Sequence, residues 1–250
     1  MRLSAETLVC VDFDDTLVAN QQHFARALDD LAALVHERLG VPEERTRAAF
    51  SAVDRQYHHH GRHRSRFLLT VLATYCAVAG STAVPLAVVP ALSAIAAHPY
   101  DAAPEPKPGS QDALTLLRSA HRGPLWLATS GDPVIQTGRV ERSGLRPAFD
   151  AVHILPDKTP AAFHHLAAQV PHADRWMIGN APRSDILPAL AAGFHACWIR
   201  QATWDLDMAP VPPDVPAFDD FPSAVAWLLE GTPQQDRPSP DRMAQRGGMG

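Results

Sequence analysis

The stretch LVCVDFDDTLV, residues 8–18, sets three carboxylates directly after a short apolar run, and few folds can accommodate that arrangement. Leu8, Val9, Cys10 and Val11 are apolar and partly β-branched, which reads as a strand buried on both faces of a parallel sheet. Asp12, Asp14 and Asp15 follow, then Thr16 and a second apolar pair, Leu17 and Val18. In an extended chain Asp12 and Asp14 point to one face, and like charges that close are costly unless a cation sits between them. The C-terminal end of a parallel strand is also where open α/β sheets keep their ligands. Taken alone, the triplet fits a polar turn too, with Asp15 or Thr16 capping a helix.

The rest of the chain repeats a strand–helix alternation after a helical interruption. Apolar residues at helical spacing predict helices over Gln21–Leu39 and Pro42–Tyr57. Further helices are expected over Phe67–Ala79 and Val84–Ala97, with a break at Pro90. A basic, imidazole-rich turn, His58–Arg66, joins the second and third. Residues 20–100 therefore read as a helical insertion, and the Pro-rich segment His98–Gly109 as an extended return. Ser110 is placed to cap helix Gln111–His121. Strands are predicted at Pro124–Thr129, Ala151–Leu155, Arg175–Ile178 and His195–Ile199. Helices Asp132–Ser143, Pro160–Val170 and Asp185–Ala192 lie between them, and Phe221–Leu229 is a last helix. Such alternation implies βαβ units and a parallel sheet with right-handed crossovers. Ala202–Asp220 reads as an irregular loop, and the polar stretch 231–250 as disordered.

The expected architecture is an α/β core, residues 1–19 and 101–230, three layers deep, with an α-helical domain over 20–100. A length of 250 residues suits a core with an insertion. A net charge of −5 without a basic stripe argues against nucleic acid as a partner. No apolar run reaches membrane-spanning length, and MRLSAETLV lacks the regions of a signal peptide, so the cytoplasm is the expected compartment. Three widely spaced cysteines, Cys10, Cys76 and Cys197, suggest no disulfide, and Cys10 and Cys197 read as small core residues. No protein partner is legible.

Each strand end adds one polar signal: Asp12 with Asp14, then Thr129 followed by Ser130 and Gly131, then Lys158, then Asn180 with Asp185. The DxDxT pattern and these signals, in this order, resemble the four motifs of the haloacid dehalogenase superfamily. The stretch MIGNAPRSDILPALAAG is the most specific match after the first. The resemblance covers about residues 7–200 and includes a helical cap inserted after the first motif. It implies a Rossmann-like core and a Mg²⁺-dependent phosphatase acting on a small phosphorylated metabolite.

The resemblance also assigns roles. Asp12 is the implied nucleophile, forming an aspartyl-phosphate, and Asp14 the proton donor and then the base for water. Thr129, with Ser130 and Gly131, is expected to bind the phosphate, and Lys158 to neutralise it. Mg²⁺ is expected on Asp12, the Asp14 carbonyl, Asn180 and Asp185. Many members carry Asp where this chain has Asn180, which shifts metal binding toward Asp185. His23 is a candidate for proton transfer from the cap. Arg64 and Arg66, with His60, are candidates for specificity toward an anionic substrate. The alternatives are a phosphomutase, a haloacid dehalogenase, against which the resemblance argues because those enzymes lack the second motif Asp that is Asp14 here, and a non-catalytic binding protein on the same fold.

Overall fold

The computed structural model describes residues 3–57, 63–171, 173–201, 203 and 205–230. In chain order it contains β1 (Leu8–Val11), β2 (Val18–Ala19), α1 (Gln21–Leu39), α2 (Glu43–Tyr57), α3 (Arg64–Ala79), α4 (Val89–Asp101) and β3 (Glu105–Pro106). Then follow α5 (Ser110–Ala120), β4 (Leu125–Ser130), α6 (Pro133–Arg142), β5 (Ala151–Leu155), α7 (Pro160–Ala168) and β6 (Arg175–Gly179). The chain closes with α8 (Leu187–Ala191), β7 (His195–Ile199), β8 (Ala217–Phe218) and α9 (Phe221–Glu230). Stretch 231–250 and the histidines of 58–60 lie outside the described residues, so the expectations placed there go no further.

Six strands form one parallel sheet in the order β5-β4-β1-β6-β7-β8. Alternation along β1 divides the core into two layers, as a pleated strand requires. Val9 and Val11 face a cluster with Leu114 and Leu117 of α5, Val140 of α6 and Val225 and Leu228 of α9. Leu8 and Cys10 face the other side, against Phe163 and Leu166 of α7, Ala189 of α8 and Phe194. Helices cover both faces, so the expectation of a three-layer α/β core around a parallel sheet holds. The chain adds β4 and β5 on one side of β1, then returns to place β6 on the other. That reversal puts the end of β1 at the switch point of the sheet.

Helices α1 to α4 bury a cluster of their own, with Leu31, Phe50, Phe67, Val71 and Leu92 inside. Their two connections to the sheet pair with each other, β2 antiparallel to β3, Val18 opposite Pro106. The return segment is thus less extended than its prolines suggest: α4 runs on to Asp101, and only two residues form a strand. Pro90 does not break a helix as expected. It lies in the first turn of α4, where a missing N–H costs nothing, and Pro99 is carried inside the last turn. Ser110 begins α5 after a left-handed Gly109 and does not cap it. Strand β8 was not foreseen, because two residues within a Pro-rich loop carry no periodic signal.

Candidate active site

The loop after β1 is tight, and its carboxylates part at once. Asp12 donates its N–H to the Ile178 carbonyl at 2.9 Å, continuing the β1–β6 ladder. Asp15 takes φ 61°, the one positive φ outside glycine among the described residues. Its carboxylate accepts from the N–H groups of Asn20 and Gln21, both at 2.9 Å, and so caps α1. Thr16 donates to Asp12 Oδ2 at 2.8 Å. The turn reading of this stretch therefore holds for Asp15, whereas Asp12 and Asp14 stay at the mouth of the sheet.

The like-charge cost of the DxD pair is met by two separate cations. Lys158 Nζ lies 2.5 Å from Asp12 Oδ1 and 2.6 Å from Asp185 Oδ1. Arg139 Nη1 lies 2.6 Å from Asp14 Oδ1. Lys158 follows β5, just ahead of α7, whose first turn is capped by Thr159. Asp185 sits on a π-helical turn, Pro182–Ile186, that leads into α8. Its Oδ2 accepts from Ala181 N–H at 2.9 Å, and its carboxyl carbon stands where a Cβ on Gly179 would be, at 2.5 Å. Only glycine at the end of β6 allows that approach.

Burial first, then the Asp185 charge, pushes Asp12 up to about 7, against the pull of Lys158. Burial alone would lower Lys158, but Asp12 and then Asp185 outweigh it and hold it above its ordinary value. Two buried carboxylates facing one ammonium leave an excess negative charge.

The site's oxygens fit a hard divalent cation. Available are the Asp12 and Asp185 carboxylates, the Asn180 amide and the Asp14 carbonyl, few carboxylates with room for waters and substrate, which suits Mg²⁺. Among the described residues no three His, Cys, Asp or Glu side chains are grouped as a metal site. The cation would therefore rest on two carboxylates and neutral oxygens.

These residues line one cleft of about 1040 Å³, its open mouth included. The floor is Asp12, Asp14, Thr129, Ser130, Gly131, Lys158, Asn180 and Asp185, so the predicted core residues come together. Thr129 Oγ1 accepts from Gln136 Nε2 at 2.7 Å, which leaves its own hydrogen to donate into the cleft. The helical insertion supplies the opposite wall: Asn20, Phe24, Asp54, Arg66, Pro99 and Tyr100.

Two predicted substrate residues do not line that cleft. Arg64 pairs with Asp101 at 3.0 Å on the exposed surface. His23 packs edge-on against His98, ring centroids 5.6 Å apart, and burial lowers its affinity for a proton. Both are displaced by helix phase, since Arg66 and Phe24, two and one residues further on, face the cleft instead. Arg66 in turn is not a free cation, because it is bonded to the buried carboxylate of Asp54.

The sequence reading missed Gln136, Arg139, Asn20 and Asp54. A signal existed in α6: Gln136 and Arg139 share the helical phase of the buried Val140, and polar residues on a buried face ask for partners.

Comparison with known proteins agrees with this architecture. The family model for haloacid dehalogenase-like hydrolase matches residues 7–193. The pyrimidine 5'-nucleotidase YjjG of Escherichia coli (strain K12) is 31% identical over 103 residues, 38% of this chain and 45% of that protein. The match thus spans under half the length of that curated relative. A haloacid dehalogenase-like hydrolase from Xanthomonas campestris superposes with a TM-score of 0.70 at 22% identity, covering 90% of this chain and 92% of that one. YfnB from Bacillus subtilis, a HAD-hydrolase structure bound to magnesium, gives 0.62 at 18%, covering 90% and 99%. At these identities the two structures show a shared fold. The family match runs from the strand that carries Asp12 to the chain just past α8 and Asp185, and the chain belongs to the haloacid dehalogenase-like hydrolases.

Proposed function

We propose that the protein is a Mg²⁺-dependent phosphomonoester hydrolase that acts on a small phosphorylated metabolite through an aspartyl-phosphate on Asp12. The observation that carries this reading is the separate anchoring of two carboxylates at the end of β1: Asp12 on Lys158, and Asp14 on Arg139 and Gln136. Two carboxylates with different partners can take different roles.

In the first step an Asp12 carboxylate oxygen attacks phosphorus and the bond to the leaving oxygen breaks. Asp14 gives its proton to that oxygen, so an alcohol departs. In the second step water attacks the phosphorus of the acyl phosphate, its proton passes to Asp14, and Asp12 and phosphate are released. Lys158 holds positive charge beside the nucleophile, and the Thr129 hydroxyl donates to a phosphoryl oxygen. Mg²⁺, when bound through Asp12, the Asp14 carbonyl, Asp185 and Asn180, supplies positive charge against the carboxylates and the phosphoryl oxygens.

Asp14 also favours this reading over dehalogenation. Halide leaves as a stable anion and needs no proton, so the first step of that chemistry has no use for a general acid. An alkoxide leaving group does need one. The helical wall over the cleft favours small substrates over protein surfaces.

The test is phosphate release from p-nitrophenyl phosphate and from a panel of phosphorylated metabolites, with and without EDTA. Pyrimidine nucleoside monophosphates belong first in the panel, given the name of the curated relative. Release that EDTA stops and that Asp12→Asn abolishes supports the proposal. Chloride release from 2-chloropropionate, without phosphate release from any phosphate ester, overturns it.

A further inference from the structure

Two residues separate the end of β4 from helix α6, which turns one face back over the end of β1. On that face, Gln136 Nε2 donates to Asp14 Oδ2 at 2.9 Å as well as to Thr129 Oγ1. Arg139 takes the other oxygen, its Nη1 at 2.6 Å from Asp14 Oδ1, while the same nitrogen donates to Gln136 Oε1 at 2.9 Å. Its Nη2 donates to Asn20 Oδ1 at 2.9 Å, and the guanidinium lies 5.6 Å above the Phe13 ring centroid. The Arg139 side chain is 5% exposed. A charged side chain so deeply buried must be held by partners, and here they come from three parts of the chain.

The position of Asn20 gives this arrangement its meaning. Asn20 lies between β2 and α1, at the root of the helical insertion. One planar, rigid group therefore touches the carboxylate that must protonate the leaving oxygen and the first residue of the insertion that closes over it. We infer that Arg139 is a positioning residue for Asp14: it fixes the carboxylate on the leaving-group side of the cleft and, through Asn20, ties that position to the root of the insertion. This rests on the hydrolase reading above. Lysine is no substitute, because a single ammonium cannot present two nitrogens in a fixed plane to Asp14 and Asn20.

A role in proton donation differs from a structural role in its dependence on the leaving group. p-Nitrophenolate departs without a proton, whereas the alkoxide of glycerol phosphate does not. kcat/KM reports the steps up to cleavage of the ester bond, so the shared release of phosphate from Asp12 does not blur the comparison.

The experiment measures kcat/KM of wild type, Arg139→Lys, Asn20→Ala and Asp14→Asn on both substrates, with melting curves to verify folding. Arg139→Lys should lose about 30-fold or more on glycerol phosphate and only about 3-fold on p-nitrophenyl phosphate, a part of what general acid catalysis provides. Asn20→Ala should show the same bias at roughly 5-fold. In the Asp14→Asn background, Arg139→Lys should cost little more on glycerol phosphate, because the two act as one unit. Equal losses on both substrates, or full additivity with Asp14→Asn, would overturn the assignment of Arg139 and leave the hydrolase reading intact. Absence of phosphate release by wild type from both esters and from every member of the metabolite panel would remove the hydrolase reading, and this inference with it; if wild type hydrolyses a panel alkyl phosphate but not glycerol phosphate, that ester takes its place in the comparison.

Discussion

Lys158 Nζ stands between Asp12 and Asp185, 2.5 Å from one carboxylate and 2.6 Å from the other, so a single buried ammonium serves two buried acids 173 residues apart in sequence. Removing it leaves both uncompensated. Lys158→Met should therefore destabilise the protein by about 3–5 kcal/mol at neutral pH, the usual cost of an orphaned buried charge. A divalent cation that binds the same two carboxylates should restore much of the loss. Urea denaturation with and without Mg²⁺ measures both, and an equal Mg²⁺ effect on wild type and variant would contradict a shared acidic site.

Asp12→Asn removes the charge of the proposed nucleophile and little else. Asp185 remains on Lys158, and Thr16 can still donate to the amide oxygen. Turnover should fall by about three orders of magnitude or more, while the melting temperature stays within a few degrees of wild type. Quenched-reaction mass spectrometry should find a phosphorylated wild-type chain and no phosphorylated variant. A phosphate adduct on Asp12→Asn would place the nucleophile elsewhere.

Arg64 and Arg66 are two residues apart and have opposite fates. Arg64 forms an exposed pair with Asp101, and such pairs contribute about 0–1 kcal/mol. Arg64→Ala should leave kcat/KM unchanged for every substrate. Arg66 lines the cleft and neutralises buried Asp54, so Arg66→Ala leaves a carboxylate alone in the wall of the cleft. That variant should lose stability by about 3 kcal/mol and bind anionic substrates more weakly. Arg66→Ala with Asp54→Asn should recover most of the stability. Titration of the four proteins in urea decides the matter.

How much of this was legible depended on what each residue asks of its neighbours. The core strands could be read because apolar runs bounded by Asp, Thr or Gly have one consistent meaning. The floor of the cleft followed from strand ends alone, since a parallel sheet brings all of them to one edge. The facing wall was not legible. It depends on the phase at which four helices cross, and a rotation of one residue exchanges Phe24 for His23 and Arg66 for its neighbour. Asp54 shares the helical phase of buried Thr46 and Phe50, but the arginine that explains its burial stands on another helix and could not be named from spacing. Gln136 and Arg139 gave a signal of the same kind, as polar residues in the buried phase of α6.

Three buried or half-buried histidines contribute to the acid side of the stability profile. Burial lowers the proton affinity of His121, His153 and His23 in the fold. In the unfolded chain each binds a proton near about 6.5. Below that pH the unfolded state holds more protons, so stability falls as pH drops from about 6.5 through the folded values, and does not return. Asp12 opposes this: raised to about 7 in the fold, it favours the folded state as pH falls through that value. The difference between wild type and His121→Asn isolates one histidine. The variant's stability should decline less between pH 6.5 and 5, as read from urea midpoints. Parallel curves would mean that His121 takes up its proton equally in both states.

Glycine at the end of β6 is the residue on which the position of Asp185 depends. A Cβ at Gly179 would lie 2.5 Å from both the carboxyl carbon and Oδ2 of Asp185, far inside contact distance. Asp185 cannot swing away freely, because Oδ2 is bonded to Ala181 N–H and Oδ1 to Lys158. Gly179→Ala must therefore displace the carboxylate or the strand, at a cost of about 1–3 kcal/mol for the overpacking. A shift near 1 Å at a catalytic group is worth about 100-fold in rate, and turnover should fall by that order. Because Asp185 is a proposed metal ligand, the Mg²⁺ concentration for half-maximal activity should rise as well. Gly138→Ala is the control. Its Cβ would meet only the flexible tip of Arg142, at 3.2 Å, within α6. There alanine should raise stability by about 0.5–1 kcal/mol through helix propensity and leave turnover as it was. If Gly179→Ala kept wild-type activity and Mg²⁺ dependence, Asp185 would have no part in holding the cation.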